Sequence, residues 1–267
     1  MPELSGICVH VASEQGELQD LKVTYENEYT VSCYIESVVG AQFLVDYCID
    51  PELDEDVTVK TAVDGTDHDY TLDRSNDRDG RIHHVEGRLE RGGVLRPFCF
   101  APLTQIDEED GDMDMDFEQR EDVLSSLGTI ELIVRRCAYR GHVDGDLDRL
   151  GHETNSKVRE KDLKLGDHMS HVAGLSPPKK TRKVSLHSVI ETDTLQHPYA
   201  RFIFRYRSRS NLESLSVVDA PVADVLFFEQ AARRLSYLHM NGEISDYDYE
   251  NASKNLSTMG IDDMVWT

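Results

Sequence analysis

Residues 198–209 read PYARFIFRYRSR. Ala200, Phe202, Phe204 and Tyr206 fall on one face at a period of two, and Arg201, Ile203, Arg205 and Arg207 fall on the other. That is the pattern of a strand with one buried, aromatic side. Residues 128–136, GTIELIVRR, repeat the design, with Ile130, Leu132 and Val134 on one face and Glu131, Ile133 and Arg135 on the other. These are the longest clean alternations in the chain, and they are expected to form the centre of a sheet with their apolar sides in the core.

Upstream, the chain reads as successive short strands. Ile7, Val9 and Val11 alternate, followed by 21–25, 30–35 (TVSCYI), 42–49 (QFLVDYCI), 57–63 (VTVKTAV), a run near Tyr70, 84–89 and 94–100. Polar or glycine-containing breaks separate them, and no helical period of useful length precedes about residue 120. The spacing predicts antiparallel hairpins in a β-sandwich-like domain covering 1–215. Pro97 lacks an N–H for the ladder, which predicts an edge or bulged strand at 94–100.

Two charged insertions interrupt the strands. One, at about 105–122, contains DEEDGDMDMDFE; the other, at about 140–182, ends in the basic segment SPPKKTRKV. Neither carries enough apolar surface to order itself, so both read as loops or disordered insertions. Beyond residue 219 the period changes. Ala220–Pro221 opens a helical pattern in which Phe228, Ala231, Ala232, Leu235 and Leu238 recur until Asn241–Gly242. Ser245 with Asp248 forms a capping box, and Ile244 is placed to staple against Tyr249. The expectation is a C-terminal helical hairpin, 221–240 and 246–257, closed by an apolar end that includes Trp266. It has two readings: a cover for an open sheet face or edge, or a docking and self-association device built on Phe228, Leu235, Leu238, Tyr249 and Trp266.

Composition bounds the function. The 267 residues carry a formal net charge of −23, which repels phosphates at long range and disfavours nucleic acid or an anionic membrane as partner. The start has no basic leader with an apolar stretch, and no apolar run is long enough to span a bilayer; the protein is expected to be cytoplasmic, nuclear or both. Cys8, Cys33, Cys48, Cys99 and Cys137 are odd in number, widely spaced and without C-x-x-C, so free thiols in a reducing compartment are expected in place of disulfides or zinc.

The elements SCYIESVVGAQFLVDY (32–47), RPFCF (96–100), LGTIELIVRR (127–136), KVSL (183–186) and HPYARFIFRYRSRSNLESL (197–215) resemble, in order, a family of fungal β-rich proteins of unknown function. The resemblance covers roughly 1–215. It implies a β-sandwich-like domain and brings no activity or catalytic residues with it. The turn NGEISDYDYENA (241–252) is similar, more weakly, to short two-helix modules at protein C-termini.

Chemistry-bearing motifs are sparse. The chain has no G-x-G-x-x-G, P-loop, G-x-S-x-G or H-E-x-x-H, so no cofactor and no catalytic residue is assigned. Asp110, Asp112, Asp114, Asp116, Glu118 and Glu121 reproduce the carboxylate spacing of a calcium loop, but its glycine position holds Met115, which favours a solvated acidic loop. His83, His84, His142, His152, His168 and His171 read as surface histidines before metal ligands. Lys179, Lys180, Arg182 and Lys183, after Pro177–Pro178, resemble a monopartite nuclear-import signal read by an import receptor; the alternative is a decorated strand start. Arg135, Arg136, Arg201, Arg205, Arg207 and Arg209 would make a nucleic-acid platform only if Phe202, Phe204 and Tyr206 were exposed, and the alternation places those in the core with the arginines paired to carboxylates such as Glu131.

The resulting reading is a non-catalytic interaction or scaffold protein, with a protein partner or self-association through the hairpin. A rival is an enzyme or ligand-binding module, which would require several of His10, His83, His84, Asp46 and Glu36 to converge in a pocket. A nucleic-acid-associated factor is the second rival.

Overall fold

The computed structural model describes residues 2–14, 16–90, 93–106, 126–143, 157–159, 170–180 and 186–218, together with Ser245 and Tyr249. The strands in chain order begin with β1 (Glu3–Leu4), β2 (Ile7–Ser13), β3 (Gly16–Glu17), β4 (Leu21–Asn27), β5 (Thr30–Glu36) and β6 (Gln42–Ile49). Next come β7 (Val57–Val63), β8 (Thr66–Asp73), β9 (His83–Val85), β10 (Gly87–Glu90), β11 (Val94–Pro102) and β12 (Thr104–Ile106). The series closes with β13 (Thr129–Val143), β14 (Lys157–Arg159), β15 (His171–Leu175), β16 (Lys179–Lys180), β17 (Leu186–Glu191) and β18 (Ala200–Arg207). One short helix, α1 (Arg209–Ser214), follows, with the Ser208 hydroxyl capping it by accepting from the Asn211 N–H.

Two sheets hold these strands. The first runs β1-β2-β6-β11-β10, with β3 on β2, β9 on β6, and β15 and β16 on β11; the second runs β4-β5-β18-β13-β7-β8, with β17 on β13. Strands β12 and β14 form a separate parallel pair. The protein is therefore mainly β, as the alternations predicted.

The antiparallel expectation is corrected in two places, the β12–β14 pair and the centre of the second sheet. β18 pairs antiparallel with β13 on one side but parallel with β5 on the other, Phe202 lying opposite Val31 and Phe204 opposite Cys33. A parallel neighbour needs a long crossover, and most of the chain lies between these two strands.

The sheets share one core. In β18, Phe202 and Phe204 are fully buried while Arg201, Ile203 and Arg205 are half-buried, as a period of two dictates. Phe100 of the first sheet meets Tyr206 of the second at 5.1 Å between ring centres, and Phe43 stacks on Phe98 and Phe100 at 5.3 and 4.4 Å. Burying each such ring contributes about 1.5–3 kcal/mol.

Three further expectations change. Pro97 does not lie in an edge strand: β11 is paired on both sides, and Pro97 falls at the joint where β10 gives way to β6, so its missing N–H interrupts no continuous ladder. Parts of 140–182 are sheet: β13 runs on to Val143, and β15 and β16 pair with β11, Val172 being buried beside Leu127. Arg207 is buried, donating to the carbonyls of Gly128 and Tyr206.

The chain divides into two units, Met1–Val218 and Asp219–Thr267. The proposed hairpin lies in the second and outside the described residues, apart from Ser245 and Tyr249; the Tyr249 N–H donates to the Ser245 carbonyl at 2.9 Å, a helical spacing.

Candidate functional site

The outward face of the first sheet carries a row set by strand register. His10 of β2 lies opposite Asp46 of β6, and Asp46 lies opposite His84 of β9. The residues flanking each one in sequence, Val9, Val11, Val45, Tyr47 and Val85, point into the core, so alternation sends the row outward. His84 Nδ1 stands 2.5 Å from Asp46 Oδ1, and His10 Nε2 stands 3.3 Å from Asp46 Oδ2 and 3.6 Å from Glu17 Oε1 on β3. His10 and Asp46 are buried, whereas the His84 side chain is 55% exposed. A carboxylate that fixes an exposed imidazole through one nitrogen leaves the other nitrogen for acid–base work or ligand binding.

His83, next in sequence, points the other way. It stacks on Tyr47 at 4.9 Å and its Nε2 lies 3.2 Å from Asp73 Oδ2 at the end of β8, which ties the two sheets together. Arg78 Nε donates to the other Asp73 oxygen at 2.6 Å and its guanidinium donates to the carbonyls of Leu53 and Glu55. Burial works to raise the Asp73 carboxyl, but the hydrogen bonds from His83 and Arg78 outweigh it and hold it below the usual range. Glu36 joins neither group; it lies 3.5 Å from Arg209.

A second polar centre is enclosed between the sheets. Asp64 closes the β7–β8 hairpin in an Asp-Gly turn, with φ of 49° at Asp64 and 72° at Gly65, the left-handed pair that such a two-residue turn requires. Its carboxylate accepts from Tyr206 Oη, from the Gly128 N–H at 2.7 Å and from the Ala173 N–H at 2.7 Å. Burial pushes this carboxyl up to about 6 against those donors. Next to it in β8, His68 is the extra residue of a bulge between Asp67 and Asp69, buried edge-on to Phe98 at 5.1 Å. Burial, helped by the charge of Arg88, pulls His68 down to about 4. No chemistry-bearing motif contains either residue; the Asp-Gly dipeptide between two alternating runs is the signal that marks Asp64.

The remaining candidates are dispersed. Asp110, Asp112, Asp114, Asp116, Glu118 and Glu121 lie outside the described residues, as do His152, His168, Arg182, Lys183, Phe228, Leu235, Leu238 and Trp266. Among the described residues, no group of three or more His, Cys, Asp or Glu side chains is placed to hold a metal ion. His171 bonds Ser37 Oγ at 2.7 Å, while His142 packs against His187 at 5.6 Å, so the two histidines do not meet. Lys179 and Lys180 form β16 against Leu95 and Val94, and Lys179 is ion-paired with Glu86. The strand arginines find carboxylates other than Glu131: Arg205 pairs with Glu26 at 2.9 Å, Arg135 with Glu191, and Arg136 with Asp193 at 2.7 Å. Phe202, Phe204 and Tyr206 are closed in the core, so this strand offers no ring for a base to stack on. Among the described residues, no helix is long and apolar enough to cross a membrane.

Neither a curated protein nor a solved structure matches the chain. A family model described as a domain of unknown function, DUF7918, matches residues 6–221, a span that takes in both sheets except β1, the His10–Asp46–His84 row and the Asp64 centre. With most of its length under that model, the chain belongs to the DUF7918 family.

Proposed function

We propose that the protein is a non-catalytic interaction module that takes an extended strand of a protein partner along a two-stranded ribbon. The observation that carries this reading is how β13 leaves the second sheet. β18 stops pairing at Val134 and β7 at Arg136, the Cys137 N–H donates to the Asp56 carbonyl at 2.8 Å, and beyond them residues 138–143 pair, among the described residues, only with β17. The ribbon exposes Val143 by 43% and Ile190 by 54%, and Arg74 lies over the Tyr139 ring at 4.5 Å near its base. A ribbon with open edges and apolar side chains is the geometry of strand addition, in which main-chain bonds give affinity and alternate side chains give selectivity. The core between the sheets is packed with buried aliphatic and aromatic side chains, which favours recognition on the outside.

The test compares wild type with Val189→Pro, which removes a ribbon N–H, and Ile190→Asp. Proteins retained by the tagged wild type should be lost from both variants while the melting temperature of the body stays within a few degrees. Equal retention overturns the ribbon as the contact. The basic segment Lys179, Lys180, Arg182 and Lys183 supports a place of action in the nucleus, and the apolar positions Phe228, Leu235, Leu238, Tyr249 and Trp266 supply a second contact or a self-association surface.

The row His10–Asp46–His84 favours one other reading, a small-ligand or acid–base site on the first sheet. Thermal-shift measurements against phosphorylated and carboxylated metabolites decide it. A ligand that stabilises wild type but neither Asp46→Asn nor His84→Gln supports this second reading; no such ligand leaves the interaction module.

A further inference from the structure

Cys8 and Cys48 are forty residues apart in sequence and directly opposite one another in the first sheet. They occupy the row next to His10 and Asp46, on the same outward face. The neighbouring pair, Gly6 and Asp50, is joined by the Asp50 N–H donating to the Gly6 carbonyl at 2.8 Å. Antiparallel ladders alternate, so 6/50, 8/48 and 10/46 all belong to the hydrogen-bonded class, whose opposed Cα atoms lie about 5.5 Å apart. That Cα separation falls inside the ~4.4–6.8 Å that a disulfide spans, and direct opposition sets both Cβ atoms on one side; Cβ atoms of this class lie about 5.5 Å apart, so they must approach by about 1 Å to reach the ~3.5–4.5 Å of a closed bond.

Both thiols are free and half-buried. Cys48 Sγ donates to the Gly80 carbonyl at 3.2 Å, and Cys8 shares a hydrogen bond with Glu3, its partner on β1. Burial raises the Cys8 thiol first, and the nearby charges of Glu3 and Cys48 add to it. The other three cysteines lack such an arrangement. Cys33 is buried opposite Phe204, Cys99 faces Gln42 and Gly174, and Cys137 faces Glu191.

We propose that Cys8 and Cys48 are a redox-active pair that closes a reversible cross-strand disulfide at the expense of a small-molecule disulfide such as oxidised glutathione. One cysteine thiolate attacks a sulfur of the oxidant, breaks its S–S bond and expels one glutathione thiolate, leaving a mixed disulfide on the protein. The second cysteine, after losing its proton, attacks the protein-bound sulfur and expels the second glutathione thiolate. Two electrons pass from the pair to the oxidant, and the two thiol protons end on the two released glutathiones. Cys48 has to swing away from Gly80 to close the bond. The ladder holds both backbones while it does so, which gives a strained and easily reduced bond. The closed form staples β2 to β6 beside His10 and Asp46.

The full chain, folded, is equilibrated in glutathione buffers of rising oxidised fraction, acid-quenched, alkylated and digested for mass spectrometry. The expected result is a fall from five alkylatable thiols to three, one cross-linked peptide joining Cys8 to Cys48, and full return of both thiols under dithiothreitol. Cys8→Ser and Cys48→Ser, checked for folding by circular dichroism, should each keep their four thiols or stop at the mixed disulfide. Five free thiols in wild type at every ratio, a mixed disulfide as its end product, or a linkage through Cys33, Cys99 or Cys137 overturns the proposal. The wild-type result decides the matter even where a variant fails to fold.

Discussion

The Tyr206 hydroxyl stands 2.6 and 2.7 Å from the two carboxylate oxygens of Asp64. Tyr206 comes from the second sheet's central strand, and Asp64 also receives the Ala173 N–H from β15 of the first sheet. One carboxylate thus joins both sheets and satisfies an outward N–H of β15 that would otherwise be buried without a partner.

Tyr206→Phe removes one donor from a buried acceptor and should lower stability by about 1–3 kcal/mol. Asp64→Ala should cost more, because it orphans the Tyr206 hydroxyl and the Gly128 and Ala173 N–H groups together and puts a residue without a side-chain acceptor at a left-handed φ. Asp64→Asn, which tolerates that backbone, should fall between wild type and Asp64→Ala. Urea titrations of the four proteins rank them, and an Asp64→Ala protein as stable as wild type would refute the clasp.

The same carboxyl gives a signed pH effect. Its folded value of about 6 lies above the ordinary 3.8, so the folded chain holds a proton there that the unfolded chain releases. Its contribution to stability is largest below about 3.8 and is lost as pH rises through 6. His68 works in the opposite direction. Its folded value of about 4 lies below the ordinary 6.5, so its contribution is intact above 6.5 and declines as pH falls from there towards 4. Between pH 4 and 6.5 the two oppose each other. Unfolding free energies at pH 4.5, 6 and 7.5 should show wild type gaining on Asp64→Asn as the medium becomes more acid, and His68→Gln gaining on wild type. A pH-independent difference in either comparison rejects that assignment.

Replacing Lys179, Lys180, Arg182 and Lys183 by alanine should abolish nuclear accumulation of a fluorescently tagged full chain. Lys179 and Lys180 are exposed on a two-residue strand, held by little more than two ladder positions and the Glu86 ion pair, and such surface pairs are worth about 0–1 kcal/mol. The variant should therefore melt as wild type does. Unchanged localisation ends the import reading.

Truncation after Val218 removes the second unit and should lower the mass seen by light scattering by more than the deleted residues if the tail self-associates. A mass that falls only by the deleted residues leaves the tail no part in self-association.

The sequence made the two long ribbons legible because each sets an uninterrupted apolar face against a polar one, and Phe202, Phe204, Ile130 and Leu132 are buried where that pattern places them. Arg207 escapes the pattern because at the end of β18 its guanidinium donates to two carbonyls, those of the adjacent Tyr206 and the distant Gly128, and these bonds outweigh alternation. The parallel match of Thr30–Glu36 with β18 left no local trace, since register between distant strands is written in neither one alone. His10, Asp46 and His84 could be named as polar residues inside apolar runs, but their meeting depends on the pairing of three strands. The same holds for Cys8 and Cys48, whose spacing along the chain says nothing of their opposition.

β18 lies between β5 and β13, yet it is made after both. During synthesis β5 and β13 therefore emerge before the strand that joins them, and the core rings of β18 arrive only with residues 202–206. Any nascent or prematurely terminated chain ending before about residue 200 carries two open inner edges, which are templates for pairing with other chains. The order of synthesis makes this a domain that closes from the middle last, and its incomplete products are the ones a cell has to shield or destroy.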